Sequence, residues 1–313
     1  EIMKIAIMGA GGLGGFLGGK LTQAGHNVWF IARGQQLVAL KTSGLRLQGP
    51  DPEIVIPRPK ATETPAEIGP VDVVLFCVKL YDVEPAAALI KPIVANATAV
   101  ISVLNGIDGP QRLEAALETG TVFSGAARIS AKIKEPGVIS YLGSGDRHKL
   151  TFGHPSRNDH PILVPFIKAC HDSGFVADLA EDIDEMLWDK LAQLAQVAAL
   201  TTLGRIPMEV AMQDPLLFDI GKRVLQEIAA VARAKNVAIN PGLVQAKLDI
   251  AAGYPPNLYA SMYHDLTAGK KIEVEGIFGY VAKAGQRLGI PTPTIDLVYA
   301  FLRPHASGGI MAT

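Results

Sequence analysis

Cysteine is scarce in this chain of 313 residues: there are two, Cys77 and Cys170, and neither belongs to a CxxC pair. A disulfide framework is thereby excluded and a cysteine-ligated metal centre is not expected, so no metal is assigned. Charge of one sign is also lacking. The net charge is −1 and no run of Lys and Arg occurs, which argues against a surface that tracks nucleic-acid phosphates. Long hydrophobic runs are missing too. The uncharged stretch 191–204 holds two Gln and two Thr and falls short of the roughly 20 residues of a spanning helix. It reads as a buried helix, and no membrane partner is expected. The N-terminus runs almost directly into a strand-like segment and leaves no room for a secretory signal, so the expected location is cytoplasmic. No internal repeat or low-complexity segment is present.

What is there is core material. Hydrophobic residues make up 49% and charged residues 19%, enough for packed interiors, and the length suits about two domains. Apolar runs at 4–8, 27–32, 71–78 and 99–104, with a weaker one at 121–126, predict strands. Helical spacing at 16–24, 84–94 and 110–117 alternates with them, the pattern of βαβ units around a parallel sheet. Beyond about residue 180 only helical patterns occur: 182–202, 215–235, 241–252, 259–268, 272–288 and 294–305. The predicted fold class is an α/β Rossmann-type parallel-sheet domain, 1–180, followed by an all-α substrate or catalytic domain, 181–313. The tail from Ser307 is expected to fray.

The first strand runs into Gly9-x-Gly11-x-x-Gly14, which opens the first helix. In a dinucleotide site the first glycine permits the tight turn, the second lets the backbone approach a pyrophosphate, and the third lets helix and strand pack closely. The helix N-terminus then offers free N–H groups and partial positive charge to the anion. Gly9, Gly11, Gly12, Leu13 and Gly14 are the resulting cofactor-binding candidates. The second strand ends Ile31-Ala32-Arg33-Gly34, where NAD sites usually carry an acid for the ribose 2′-hydroxyl. An arginine there pairs with a 2′-phosphate, so the expected cofactor is NADP(H).

Further candidates follow other strand ends, where ligands of open parallel sheets bind. Lys79 closes Cys77-Val78-Lys79 and is placed to meet cofactor or substrate. Asn105, in Leu104-Asn105-Gly106, is either a hydrogen-bonding group or a turn residue, since Asn-Gly is a strong turn dipeptide. Lys190 lies beside an apolar helical stripe of Leu187, Leu191, Leu194 and Ala198. Desolvation there would lower its pKa and make it a candidate acid, but a lysine that snorkels at a helix edge reads the same way. Glu273 is one of several charges around a helix start.

Taken in order, these pieces resemble the ketopantoate reductase family, the 2-dehydropantoate 2-reductases. The features that carry the resemblance are the N-terminal GxGxxG, Arg33, Val78-Lys79, Asn105-Gly106, the "WDKL" at Trp188–Leu191, Ser261, Met262 and Asp265, the "EVEG" beginning at Glu273, and the closing "GIPTPTID" at Gly289–Asp296. The resemblance implies NADPH-dependent reduction of a 2-oxo acid to a 2-hydroxy acid, a step of pantothenate biosynthesis. It implies Lys190 as general acid, Glu273 as the group that orients and tunes it and bonds substrate, and Asn105 and Ser261 as substrate-binding residues. Arg33 and Lys79 would hold the phosphate and ribose region of the cofactor, with Asn105 beside it.

The chain departs from the family at two places. Asparagines often stand four and eight residues after the catalytic lysine, where this chain has Leu194 and Ala198; Gln193 and Gln196 point elsewhere on a helix. Phe278 precedes Gly279 where the family has an "NG". A site that loses an amide partner discriminates poorly in favour of a hydroxylated substrate. A relative that reduces a less polar 2-oxo acid is therefore one alternative, and a non-catalytic NADP-binding sensor is another. An all-helical second domain with apolar surfaces could also pair into a homodimer.

Overall fold

The structure, a computed structural model, describes residues 2–309; most of the tail expected to fray lies outside them. The chain divides into two compact units. One holds the residues up to Leu104 together with Gly109–Ile183, and the other holds Asn105–Asp108 together with the chain from Asp184 onward. The short segment Asn105–Asp108 thus groups with the helical unit rather than with the sheet that precedes it.

The first unit holds all twelve strands of the described residues. They are β1 (Lys4–Met8), β2 (Asn27–Ile31), β3 (Leu45–Gln48), β4 (Ile54–Ile56), β5 (Lys60–Thr62), β6 (Val73–Phe76), β7 (Ala99–Ser102), β8 (Thr121–Arg128), β9 (Ser130–Glu135), β10 (Val138–Leu142), β11 (Lys149–Gly153) and β12 (Val176–Leu179). Its helices are α1 (Gly12–Gln23), α2 (Gly34–Thr42), α3 (Val83–Ile90), α4 (Gly109–Ala116) and α5 (Leu163–Asp172). Eight strands form one sheet in the order β12-β11-β8-β7-β6-β1-β2-β5, parallel throughout except where β8 meets β11. Both faces are covered, as a parallel sheet requires: Ile5, Ile7, Val73 and Leu75 join one core, and Ala6, Met8, Val74 and Phe76 join the other. From β1 the chain proceeds outward to β2 and β5, then returns to β6 and proceeds the other way. The switch point therefore falls between β1 and β6, and the crevice beyond the carboxyl ends of those strands is where such sheets bind ligands.

The sequence patterns did not reveal a second sheet, ordered β4-β3-β10-β9, with β3 and β10 parallel and the two outer pairs antiparallel. It lies against the far side of α1, which is thus held between two sheets. Side-chain-free stripes on α1 permit this. A Cβ on Gly14 or Gly18 would come within 2.9 Å of Ile7, and one on Gly15 or Gly19 would press on Ile139 or Leu47 of the smaller sheet at 2.8 to 2.9 Å. The stripes follow the i, i+4 periodicity of one helix face each.

The second unit is helical: α6 (Ile183–Ala198), α7 (Met208–Gln213), α8 (Pro215–Ala234), α9 (Leu243–Ala252), α10 (Ser261–Thr267), α11 (Tyr280–Leu288) and α12 (Pro293–Leu302). Helix α6 runs on into a π-turn over Ala199–Leu203, and another π-turn, Glu275–Gly279, leads into α11. Such turns mark places where a helix is bent away from ideal geometry, often at functional sites. The closing "GIPTPTID" is helix punctuation. Gly289 ends α11 in the left-handed conformation at φ 68°, Pro293 opens α12, and the Glu227 carboxylate accepts from the first free amides, Thr294 N and Ile295 N, at 2.9 and 2.8 Å. No helix among the described residues is long and apolar enough to cross a membrane, and no cluster of metal-ligating side chains occurs among them.

Candidate active site

At the switch point of the first unit, β1 ends in the glycine turn. Gly9 has φ +96°, and a Cβ there would lie 2.9 Å from the Cys77 carbonyl oxygen just beyond β6. The turn and the Cys77-Val78-Lys79 segment therefore lie side by side. Gly14 is needed for packing: its Cβ would fall 2.1 Å from the Gly9 carbonyl oxygen. Gly12 is needed because the β9 backbone crosses it, with Ala131 O 2.4 Å from the Cβ position. Gly11 is different. Its φ of −78° suits any residue, and no protein atom lies within 4 Å of the place where a Cβ would go. Nothing in the chain demands glycine at this point, at the start of a helix with free N–H groups. A pyrophosphate approaching the backbone does demand it. The cradle therefore fits a dinucleotide.

Two side chains that sequence reasoning passed over complete this region. Gln36, on α2, donates to the Ala10 carbonyl in the turn at 3.0 Å and accepts from Gly137 N at 3.0 Å, so it pins the glycine turn to the β9–β10 hairpin. Asp82, on the turn after Lys79, meets the guanidinium of Arg33 at 3.2 Å. Neither carried a sequence signal: Gln36 is a lone amide on a surface helix, and Asp82 reads as a helix cap.

Cys77 stands beside the glycine turn. It is half-buried as a residue, and burial pushes its thiol up to about 12; the buried Cys170 thiol is raised as well. Thiolates, not thiols, react with alkylating agents. The folded protein at pH 8 is therefore expected to resist iodoacetamide at both positions and to label at both in urea, as read by mass spectrometry; rapid labelling of the folded protein at Cys77 would contradict this burial. Between the ordinary thiol value of 9.0 and about 12, the unfolded chain releases protons that the folded chain keeps, so these groups lower stability as pH rises through that window.

In the second unit, two candidates 168 positions apart in sequence meet. Asn105 Nδ2 donates to Glu273 Oε2 at 3.3 Å. Glu273 is 7% exposed and lies two residues before the π-turn that leads into α11. The neighbouring Glu275 behaves differently: it is exposed and accepts from Tyr299 Oη at 2.8 Å and Lys283 Nζ at 2.9 Å, which ties α12 to α11. Of the two glutamates of "EVEG", the buried one bonded by Asn105 is the functional candidate. Lys190 is half-buried on α6, flanked by the buried Leu187, Trp188 and Leu191. The adjacent Asp189 turns to Lys247, a lysine only 5% exposed, at 2.6 Å. Trp188 packs on Tyr280 with ring centroids 6.1 Å apart, and burial, reinforced by the Asp108 carboxylate, holds the Tyr280 phenol above its usual range. Ser261 is exposed in the first turn of α10, whose start is anchored by Ala260 N donating to Thr201 Oγ1 in the π-turn of α6 at 3.1 Å. Leu194 is half-buried and Ala198 is 1% exposed. The nearby glutamines do not replace the missing amides: Gln193 donates to the Tyr254 hydroxyl, and Gln196 is buried against Gly221.

Family models for ketopantoate reductase PanE/ApbA match residues 5–156, and for its C-terminal domain residues 182–306. The chain belongs to the ketopantoate reductase family. It is 28% identical to the 2-dehydropantoate 2-reductase of Archaeoglobus fulgidus, over 98% of this chain and 99% of that one. It is 26% identical to the uncharacterized oxidoreductase YkpB of Bacillus subtilis, over 97% and 99%. Among solved structures, a PanE/ApbA family ketopantoate reductase from Ralstonia eutropha JMP134 superimposes with a TM-score of 0.89 at 29% identity, covering 97% of this chain and 98% of that one. A D-mandelate dehydrogenase solved with NADH and anilino(oxo)acetate shares the fold, with a TM-score of 0.88 at 22% identity, over 97% and 98%. This protein is thus an oxidoreductase of the ketopantoate reductase family that takes a nicotinamide cofactor.

Proposed function

We propose that this protein reduces a 2-oxo acid, with 2-dehydropantoate as the reference substrate, to the 2-hydroxy acid (pantoate) at the expense of NADPH. The observation that carries the reading is the Asn105–Glu273 contact. It joins, around a buried carboxylate, two residues that the family resemblance assigns to one site. The bound nicotinamide supplies hydride. The protein's own part is electrostatic and acid–base. As negative charge grows on the keto oxygen, the Lys190 ammonium stabilises it and gives up a proton. Glu273, held by Asn105, orients that ammonium and offers its carboxylate to the substrate's polar groups. Ser261 adds a hydroxyl that can donate or accept. Arg33 and Lys79 hold the phosphate and ribose end of the cofactor. The test is the initial rate of NADPH oxidation with 2-dehydropantoate beside a panel of other 2-oxo acids; no turnover with any of them would defeat the proposal.

A second reading is favoured by Leu194 and Ala198. Apolar groups at these positions suit a 2-oxo acid with a hydrocarbon side chain better than one with a hydroxyl. Leu194→Asn is then expected to raise the kcat/KM ratio of 2-dehydropantoate to 2-oxoisovalerate by about tenfold, the worth of one hydrogen bond to a substrate hydroxyl. An unchanged ratio would mean that Leu194 does not face the substrate side chain.

A further inference from the structure

We propose that Asp82 is a second reader of the cofactor's adenosine ribose, and that the Arg33–Asp82 pair lets this protein bind NADH as well as NADPH. The proposal rests on the dinucleotide reading of the glycine turn and of Arg33.

The end of the strand after the glycine turn is where a Rossmann-type sheet reads the ribose 2′ position, with an acid for the hydroxyl of NAD or an arginine for the phosphate of NADP. Here the strand end carries Arg33, so the acid is missing from its usual place in sequence. It is not missing from the place in space. Asp82 Oδ2 lies 3.2 Å from Arg33 Nη2, and it is delivered from the turn beyond β6, across the switch point.

Asp82 is not engaged by the helix that follows it. It ends a 3-10 turn, Leu80–Asp82, that runs straight into α3. Its side chain makes no cap hydrogen bond; the carboxylate is turned onto Arg33 instead. The pair does little for the fold, because the Arg33 side chain is 86% exposed and that of Asp82 26%, and ion pairs this open to water contribute little stability. A carboxylate that serves neither the helix nor the stability of the fold, held at the cofactor's strand end, has a ligand role that fits it.

The chemistry of the pair is two-sided. A 2′-phosphate needs Arg33 as its partner, preferably through two parallel hydrogen bonds. It must draw the guanidinium from Asp82 and leave a like charge nearby, which weakens NADPH binding. A 2′-hydroxyl, in contrast, donates to the Asp82 carboxylate, with Arg33 remaining as its counter-charge. The two cofactors therefore use the two halves of the pair.

The experiment is equilibrium binding of NADH and of NADPH to the full chain, by calorimetry or by quenching of protein fluorescence, with thermal melts to confirm folding. The unsubstituted protein is expected to bind both, with Kd values within about tenfold of each other. Asp82→Asn should weaken NADH about tenfold and leave NADPH unchanged or tighter. Arg33→Ala should weaken NADPH about tenfold and spare NADH. Asp82→Ser removes the same charge and should reproduce the ordering should the first variant fold poorly. Undetectable NADH binding, or Asp82 variants that weaken both cofactors equally, would overturn the proposal. A wild-type preference for NADH that Arg33→Ala leaves unmoved would instead defeat the underlying phosphate reading of Arg33.

Discussion

Lys190→Ala is expected to lower kcat by about a hundred- to ten-thousand-fold, the range that a positioned general acid contributes, while the Kd for NADPH stays within a few-fold of the original. The separation matters because Lys190 lies on α6 in the helical unit, whereas the glycine turn, Arg33 and Lys79 belong to the sheet unit. Loss of an acid used only as charge develops should depress kcat and kcat/KM together. Retention of kcat within a few-fold would mean that Lys190 is a lysine lying along a helix edge, its stem buried and its charge in water. A large loss accompanied by a lowered melting temperature would not count in its favour, so folding must be confirmed alongside the kinetics.

Gly14→Ala is expected to destabilise the protein by about 3 kcal/mol or more, and Gly11→Ala by about 0.5 kcal/mol at most. The new methyl at Gly14 would lie 2.1 Å from the Gly9 carbonyl oxygen and 2.9 Å from Ile7. Relief requires α1 to back away from β1, and forced overpacking of this kind typically costs about 1–3 kcal/mol. Helix α1 cannot retreat freely, because Ile139 and Leu47 wait on its other side. At Gly11 a methyl points into open space, and exchanging Gly for Ala at a compatible backbone angle is nearly neutral. Its effect should fall on the cofactor: a weakening of NADPH binding by tenfold or more, with the melting temperature of the free protein unchanged. Chemical denaturation and ligand titration of the two variants separate the cases. Equal stability losses at both positions would show that the Gly11 cradle is a packing requirement and not a ligand site.

How much of this was legible in the residues depends on how local the cause was. The β1–α1–β2 unit announced itself through an apolar run, a glycine turn and a second apolar run. The helical unit announced itself through period, and its closing motif through Gly289 and the prolines around Thr292. The smaller sheet did not. All of β9 is exposed apart from Ala131, β4 is three residues long, and the buried face of that sheet rests on glycines, which leave no apolar signature in α1. Among the site residues, Gly9, Gly11 and Gly14 could be assigned separate duties from spacing alone, and the structure shows a left-handed turn at Gly9, close packing at Gly14 and open space beside Gly11. The meeting of Asn105 with Glu273 could not be read locally, since 168 positions intervene; only the family resemblance connected them. Asp82 was hidden because an aspartate in a short turn ahead of a helix carries no ligand signature of its own, and its partner Arg33 lies 49 positions away.

The confinement of α1 between two sheets bears on how this sequence can drift. Most helices carry one face to solvent and accept change there. On α1, the run from Gly14 to Leu21 is buried without interruption, so almost any enlargement meets one sheet or the other. On the proposed reading of the site, variation in cofactor preference then arises at the periphery, at the strand end and the turn that faces it. Arg33 and Asp82 are partly or largely exposed, touch little of the core, and can be exchanged at small cost to the fold. On that reading the anchor for the pyrophosphate is fixed and the reader of the ribose is editable, so a lineage carrying this architecture can change its reductant without relearning how to fold.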